Sequence, residues 1–240
     1  MTNDLLIVIS HYAARETAHL DSLLSNISKL HKNILISVND DQVESEFISS
    51  FRGFQAIFRP NIGMNIGGWN SAYQKYPDCK YYIFLQDECI LLRGDFINAY
   101  KKELDRIEVG MTGESINYKW DKAWPQIMNT PLNYTTDIIS NGRRISRVEN
   151  YLNIMEGWGV NPGASGRHLR SLVWGFSNRT LRAIAGFPIG NNKEQCIASE
   201  IAVSKKVEQL GLSVTQVSET PFYFFKHDEW LANGVSKKYQ

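Results

Sequence analysis

The sequence predicts an α/β fold with a mainly parallel central sheet flanked by helices. Unbroken apolar runs of strand length recur through the first half, stretches of helical spacing separate them, and each run ends on polar residues. LLIVIS (residues 5–10) reads as a strand covered on both faces. A helix follows over residues 16–30, with Leu20, Leu23, Leu24, Ile27 and Leu30 at helical spacing. ILISV (34–38) is the second strand, and Asn39-Asp40-Asp41 breaks it. A short helix is expected from there to Ser50, then a third strand in QAIF (55–58). Residues 64–76 place Trp69, Tyr73 and Tyr76 on one helical side, and YYIFL (81–85) is a fourth strand ending at Gln86-Asp87-Glu88.

Residues 108–170 are rich in Trp, Asn, Gly and Pro and weak in apolar periodicity, which predicts elaborated loops and short helices laid over one face of the sheet. SLVWGFS (171–177), a helix over 195–210, a strand in LSVTQV (212–217) and the strand FYFFK complete the chain. No linker-like composition divides the 240 residues, so one domain is expected.

Composition narrows the function. With 26 Lys+Arg against 25 Asp+Glu the net charge is +1, so nucleic acid is not expected as a partner. Cys79, Cys89 and Cys196 are far apart and odd in number, fitting neither a disulfide framework nor a zinc cluster; they read as reduced thiols of a cytoplasmic protein. The amino-terminal apolar run lacks a basic flank and is a strand rather than a signal peptide. No stretch approaches the roughly 20 apolar residues of a membrane span, which leaves room only for a peripheral membrane contact.

Ligands of parallel sheets bind beyond the carboxyl ends of the strands. That rule selects Ser10-His11-Tyr12, Asn39-Asp40-Asp41 and Gln86-Asp87-Glu88. Two adjacent acids closing an apolar strand fit a hard divalent cation bridging to a diphosphate, and equally a solvated turn. His227, with Asp228 and Glu229 beside it, reads either as a structural histidine or as a nitrogen ligand of such a metal. Glu200, on a helix among Ile197, Ile201 and Val207, is either a half-buried general base or one charge of a solvated face. RPNIGMNIGGWNSAY has three glycines and three asparagines at a helix start, where backbone can approach phosphate or sugar. It matches neither the dinucleotide fingerprint nor the phosphate loop.

In this order, these pieces resemble the family 2 glycosyltransferases and their rhamnan-synthesis relatives, whose fold is called GT-A. The resemblance covers residues 5–92 and 172–227. It implies a nucleotide-binding turn at Ser10, His11 and Tyr12, base or ribose contacts at Asp40 and Asp41, and an Asn-x-Gly helix start at Asn61 and Gly63 continuing to Asn70. The family's Asp-x-Asp motif falls on Gln86-Asp87-Glu88, a departure at the first and third positions. The resemblance implies Mn2+ or Mg2+ on Asp87, Glu88 and His227, and Glu200 as the base of an inverting transfer. Gly186-Phe187-Pro188 is similar to the element before that helix, and Gly211 to the glycine before the next strand.

The implied activity is transfer of a sugar from a nucleotide-diphosphate sugar to a saccharide or lipid-linked saccharide acceptor, in polysaccharide or glycoconjugate synthesis. Residues 1–107 would hold the donor and 108–240 the acceptor and the catalytic base. Tyr118, Trp120, Trp124 and Trp158 stand either in the core or against the acceptor. The implied setting is the cytoplasm, including the inner face of the membrane. A sugar nucleotidyltransferase would need a Gly-rich basic loop where SHYAARE stands, and a dehydrogenase the absent dinucleotide fingerprint. The rival from another class is a non-catalytic nucleotide-sugar or glycan-binding protein of the same fold.

Overall fold

A computed structural model describes residues 4–227; Asp228 and Glu229 lie outside the described residues. The chain opens with β1 (Leu5–Tyr12), α1 (Ala18–Leu30) and β2 (Ile34–Asp40). A hairpin of β3 (Phe47–Phe51) and β4 (Phe54–Pro60) follows, then α2 (Met64–Lys75), β5 (Tyr81–Gln86), the two-residue β6 (Ile90–Leu91) and α3 (Phe96–Leu104). The middle holds β7 (Val109–Gly113), α4 (Trp124–Met128), β8 (Thr135–Ser140), β9 (Arg143–Ser146) and α5 (Arg147–Gly157). The chain closes through β10 (Val173–Ser177), α6 (Asn178–Ala183), α7 (Lys193–Gln209), β11 (Ser213–Gln216) and β12 (Phe225–Lys226).

Eight strands form one sheet in the order β11-β7-β10-β5-β1-β2-β4-β3. β1 pairs in parallel with β2 and β5, and β2 with β4. β10 runs antiparallel between β5 and β7, and β3 is an antiparallel edge. Successive β1 side chains enter opposite layers, as the strand period of two requires. Leu5, Ile7 and Ile9 pack with α1 and α3, whereas Leu6 and Val8 pack with Trp69 of α2 and Val203 of α7. A third core joins α4, α5 and the first half of α7.

Three expectations are corrected here. Residues 47–51 form strand β3, not a helix, because Arg52-Gly53, both at positive φ, turn the chain straight back into β4. The segment 108–170 does not merely overlie the sheet: β7 is a buried strand within it. FYFFK is strand only at Phe225–Lys226, paired with β6. Trp120 and Trp124 belong to the third core rather than to an open surface. No helix among the described residues is long and apolar enough to cross a membrane. The three cysteines are free thiols.

Candidate active site

From β1 the chain moves outward to β2 and β4, then crosses back to β5 on the other side of β1. The carboxyl ends of β1 and β5 thus flank a topological switch point, where a crevice opens in sheets of this kind. A cavity of about 470 Å³ lies there. Ser10, His11, Tyr12, Asn61, Gln86 and Asp87 line it, as do Arg15, Asn39, Met64 and Asn65. Seven of the residues singled out in the sequence, Asn39 among them, therefore meet around it.

Register explains part of this convergence. Ser10 lies opposite Gln86 in the ladder, so His11, still paired with β2, and Asp87, the first residue past β5, stand side by side. His11 Nδ1–H donates to Asp87 Oδ2 at 2.6 Å, and both side chains are buried. The imidazole also stacks on Phe51 of β3, with ring centroids 5.7 Å apart. Asp87 is thereby directed at His11.

Glu88 has different partners. It forms an ion pair with Arg15, and His227 Nε2 lies 3.5 Å from its Oε2. His227, and beside it Arg15, hold the Glu88 carboxyl down at about 2 against the partial burial that raises it. Among the described residues, no three His, Cys, Asp or Glu side chains gather into a ligand set. Of the three metal ligands implied by resemblance, Glu88 and His227 share a place and Asp87 does not. An ionised carboxylate and an imidazole at this spacing fit two ligand positions of a divalent cation whose remaining sites are filled by phosphate and water.

The other predicted residues are spread around this centre. Asp40 accepts from the Gln42 backbone N–H at 2.9 Å, which closes the turn after β2. Asp41 accepts from the Tyr12 hydroxyl; Tyr12 and then Asn61 hold it below the usual carboxylate range, while Asp41 raises Tyr12. Neither acid reaches the cavity wall. Gly63 starts α2 at φ 79°, and a Cβ there would stand 2.6 Å from Ile189 Cγ2. Asn70 accepts from the Phe187 backbone N–H at 2.9 Å, so it fixes the Gly186–Phe187 turn against α2, away from the cavity.

Glu200 stands behind the wall. Its Oε2 accepts from Ser171 N at 3.1 Å and Ser171 Oγ at 2.5 Å, while Oε1 lies 3.2 Å from His168 Nε2. Burial pushes this carboxyl up, but His168 and Ser171 outweigh burial and keep it below its ordinary value. The Ser171 carbonyl in turn accepts from Gln86 Nε2 at 2.6 Å and Asn65 Nδ2 at 3.1 Å. One residue thus separates Glu200 from the cavity lining.

Sequence reasoning missed Arg15, Arg59, His168 and Ser171. Arg59 donates to Asn39 Oδ1 at 2.6 Å and to the Ile62 carbonyl at 2.8 Å, pinning the loop that carries Asn61; burial lowers its pKa. An arginine directly after the apolar run QAIF was the available signal, since a charge closing a core strand is rarely left unpaired. Arg15 follows the first strand by three residues and could have been read with the SHY turn. His168 and Ser171 carried no local pattern.

A parallel-rich sheet with one antiparallel strand beside its switch point, and a polar cavity at that point, defines a GT-A fold. Among solved structures the chain is similar to the mannosyltransferase PcManGT from Pyrobaculum calidifontis in complex with GDP-Man and Mn2+. The TM-score is 0.52 at 12% identity, over 89% of this chain and 54% of that one, so the chain spans about half the length of that enzyme. It is also similar to the glucosyl-3-phosphoglycerate synthase from Mycobacterium tuberculosis in complex with Mn2+, UDP-Glc and phosphoglyceric acid (TM-score 0.49, 12% identity, 95% and 75% covered). A third is CMP:2-keto-3-deoxy-manno-octonic acid synthetase complexed with CTP (TM-score 0.48, 11% identity, 98% of each chain). At these identities the likeness is one of fold. No protein-family model matches the sequence, and no curated protein matches it.

Proposed function

We propose that this chain is a glycosyltransferase that moves a sugar from a nucleotide-diphosphate sugar to a saccharide or lipid-linked saccharide acceptor, in polysaccharide or glycoconjugate synthesis. The observation that carries this reading is the cavity of about 470 Å³ at the switch point of a GT-A sheet, walled by His11, Arg15, Asn61, Gln86 and Asp87. Neutral amides and hydroxyls there suit a base and ribose, and the Arg15 guanidinium suits a diphosphate. The domain would be a single one, with the donor held by residues 1–107 and the acceptor by residues 108–240.

Glu88 and His227 would hold Mn2+ or Mg2+, which when bound would offset charge on the departing diphosphate. The buried His11–Asp87 pair would keep the floor of the donor site rigid, with Asp87 oriented by the imidazole. Glu200, ionised near neutral pH because its pKa is lowered, is in the protonation state a general base needs. It would exchange one Ser171 bond for the attacking hydroxyl of the acceptor, and direct displacement would invert the anomeric carbon. The free thiols fit a reducing cytoplasm, including the inner face of the membrane.

A second reading is favoured by one observation. Both Glu200 oxygens are already engaged, which suits a binding protein that keeps the fold without turnover. One experiment separates the two: nucleotide release from UDP-, GDP- and dTDP-sugars with Mn2+, in the native protein and in Glu200→Gln. Release that drops about a hundredfold or more in the variant supports the transferase and its base. Donor binding with no release from either protein supports the binding protein, and no binding of any donor sinks the nucleotide-sugar assignment, leaving only a glycan-binding protein.

A further inference from the structure

A second cavity, about 810 Å³, lies between the β8–β9 hairpin, α5 and the first turn of α7. Its volume is that of a ligand pocket rather than a packing defect. Asn150 of α5 is in its wall, only 6% exposed, and its Nδ2 has no hydrogen-bond partner. Leaving a buried amide donor unpaired costs about 1–3 kcal/mol, so this donor is set for an acceptor that comes from outside the chain.

The rest of the wall specifies the acceptor's chemistry. The Arg147 guanidinium lies 5.3–5.5 Å from the ring centroids of Trp120, Tyr134 and Tyr151, and its Nε donates to Tyr151 Oη at 3.0 Å. No carboxylate pairs with it among the described residues. Tyr134 is 57% exposed and offers a flat apolar surface beside these donors. Asp137 and Glu194 supply carboxylates, and against Arg147 and Lys193 they leave the cavity without net charge. A neutral cavity disfavours a phosphate or polyanion, and the unpaired amide disfavours an acyl chain. Aromatic faces for CH surfaces, with paired donors and acceptors at their edges, match the hydroxyl-rich but partly apolar surface of a sugar.

The cavity also adjoins the support of Glu200. The Trp120 ring is 5.8 Å from Tyr151 and 6.2 Å from His168, which contacts Glu200. Along α7, Gln195 in the cavity wall precedes Glu200 by five residues, about 7.5 Å of helix axis. We propose that this cavity is a saccharide-binding cleft in which Asn150, Arg147 and Tyr134 hold the acceptor glycan. The saccharide cleft stands on its own geometry; its role as the acceptor site rests on the transferase reading above.

The test uses the full chain with cellotriose, maltotriose, mannotriose and chitotriose, each followed by saturation-transfer NMR, with UDP and GDP titrated separately. Tyr134→Ala removes an exposed ring. Asn150→Leu removes the unpaired donor at similar volume, so its thermal midpoint should stay level or rise. At least one trisaccharide is expected to bind and to weaken about tenfold in each variant, while nucleotide affinity stays within about twofold. Nucleotide binding with no trisaccharide binding, or trisaccharide binding indifferent to both variants, overturns the cleft and leaves the transferase reading standing. Trisaccharide binding lost in both variants, with no nucleotide binding to any form, supports the cleft and sinks the transferase reading.

Discussion

Glu114 gives the sharpest prediction about the fold, because a buried acid ties down the segment that delivers His227. It follows β7 and is 2% exposed. Its carboxylate accepts from Tyr100 Oη at 2.8 Å and from the backbone N–H groups of Phe224 at 3.0 Å and Phe225 at 3.2 Å. Its carbonyl accepts from Phe222 N at 3.1 Å. Burial raises the carboxyl from 4.5 to about 7, and these bonds offset only part of that rise. A group whose pKa is higher folded than unfolded binds protons more tightly in the native state. Its stabilising contribution is therefore complete below pH 4.5 and is lost as pH rises through about 7. At about 1.4 kcal/mol per pH unit, the loss across that window is about 3 kcal/mol.

Glu114→Gln keeps an oxygen for the two backbone donors and removes the titration. Urea unfolding of both proteins from about pH 4 to about pH 8 measures the difference directly, because every other titrating group is shared and cancels. The native protein should lose about 3 kcal/mol relative to the variant across that range, with most of the change between pH 5 and pH 7. Parallel stability curves would refute the argument, since they would mean that Glu114 titrates alike in both states. A variant that is less stable by a constant amount would locate the contribution of this side chain in its hydrogen bonds alone.

Two further outcomes follow from close contacts. Gly67→Ala would put a Cβ 2.0 Å from the Ile62 carbonyl oxygen and 3.1 Å from Arg59 Nη2, so a loss of about 1–3 kcal/mol is expected in thermal unfolding; an unchanged midpoint would mean that α2 does not press on that loop. Arg15→Gln removes the cation beside Glu88 and should weaken UDP and GDP binding about tenfold by calorimetry, while uridine and guanosine bind as before; equal losses for nucleosides and nucleotides would place Arg15 away from the diphosphate.

What the sequence disclosed depended on how each strand is buried. β1, β2 and β5 are covered on both faces, so LLIVIS, ILISV and YYIFL stand out as unbroken apolar runs. β3 is an exposed edge, and EFISSF has neither an unbroken apolar run nor the strict alternation that marks a half-buried strand. β7 fails for the opposite reason. Its neighbours leave no room for a side chain at two of its five positions, since a Cβ on Gly110 would lie 2.5 Å from Val207 Cγ1 and one on Gly113 2.6 Å from the Val173 carbonyl oxygen. The strand is therefore written VGMTG and reads as a loop.

The same distinction governs the candidate site. Residues at strand ends were legible because topology alone brings them to one edge, whatever their side chains do. Partnerships were not, because they join residues distant in sequence: His11 and Asp87 are 76 positions apart, and Asn70 and Phe187 are 117. Asn70 illustrates the cost of reading type without partner, since an asparagine at a Gly-rich helix start serves a turn on another segment. Glu200 illustrates the converse. Its place on a helix among apolar residues was readable, but the direction of its carboxylate is set by Ser171 and His168, which bear no sequence mark. In the transfer proposed above, Glu200 would turn from Ser171 toward the acceptor hydroxyl, and Ser171, whose carbonyl accepts from Gln86 in the cavity wall, would then link that wall to Glu200.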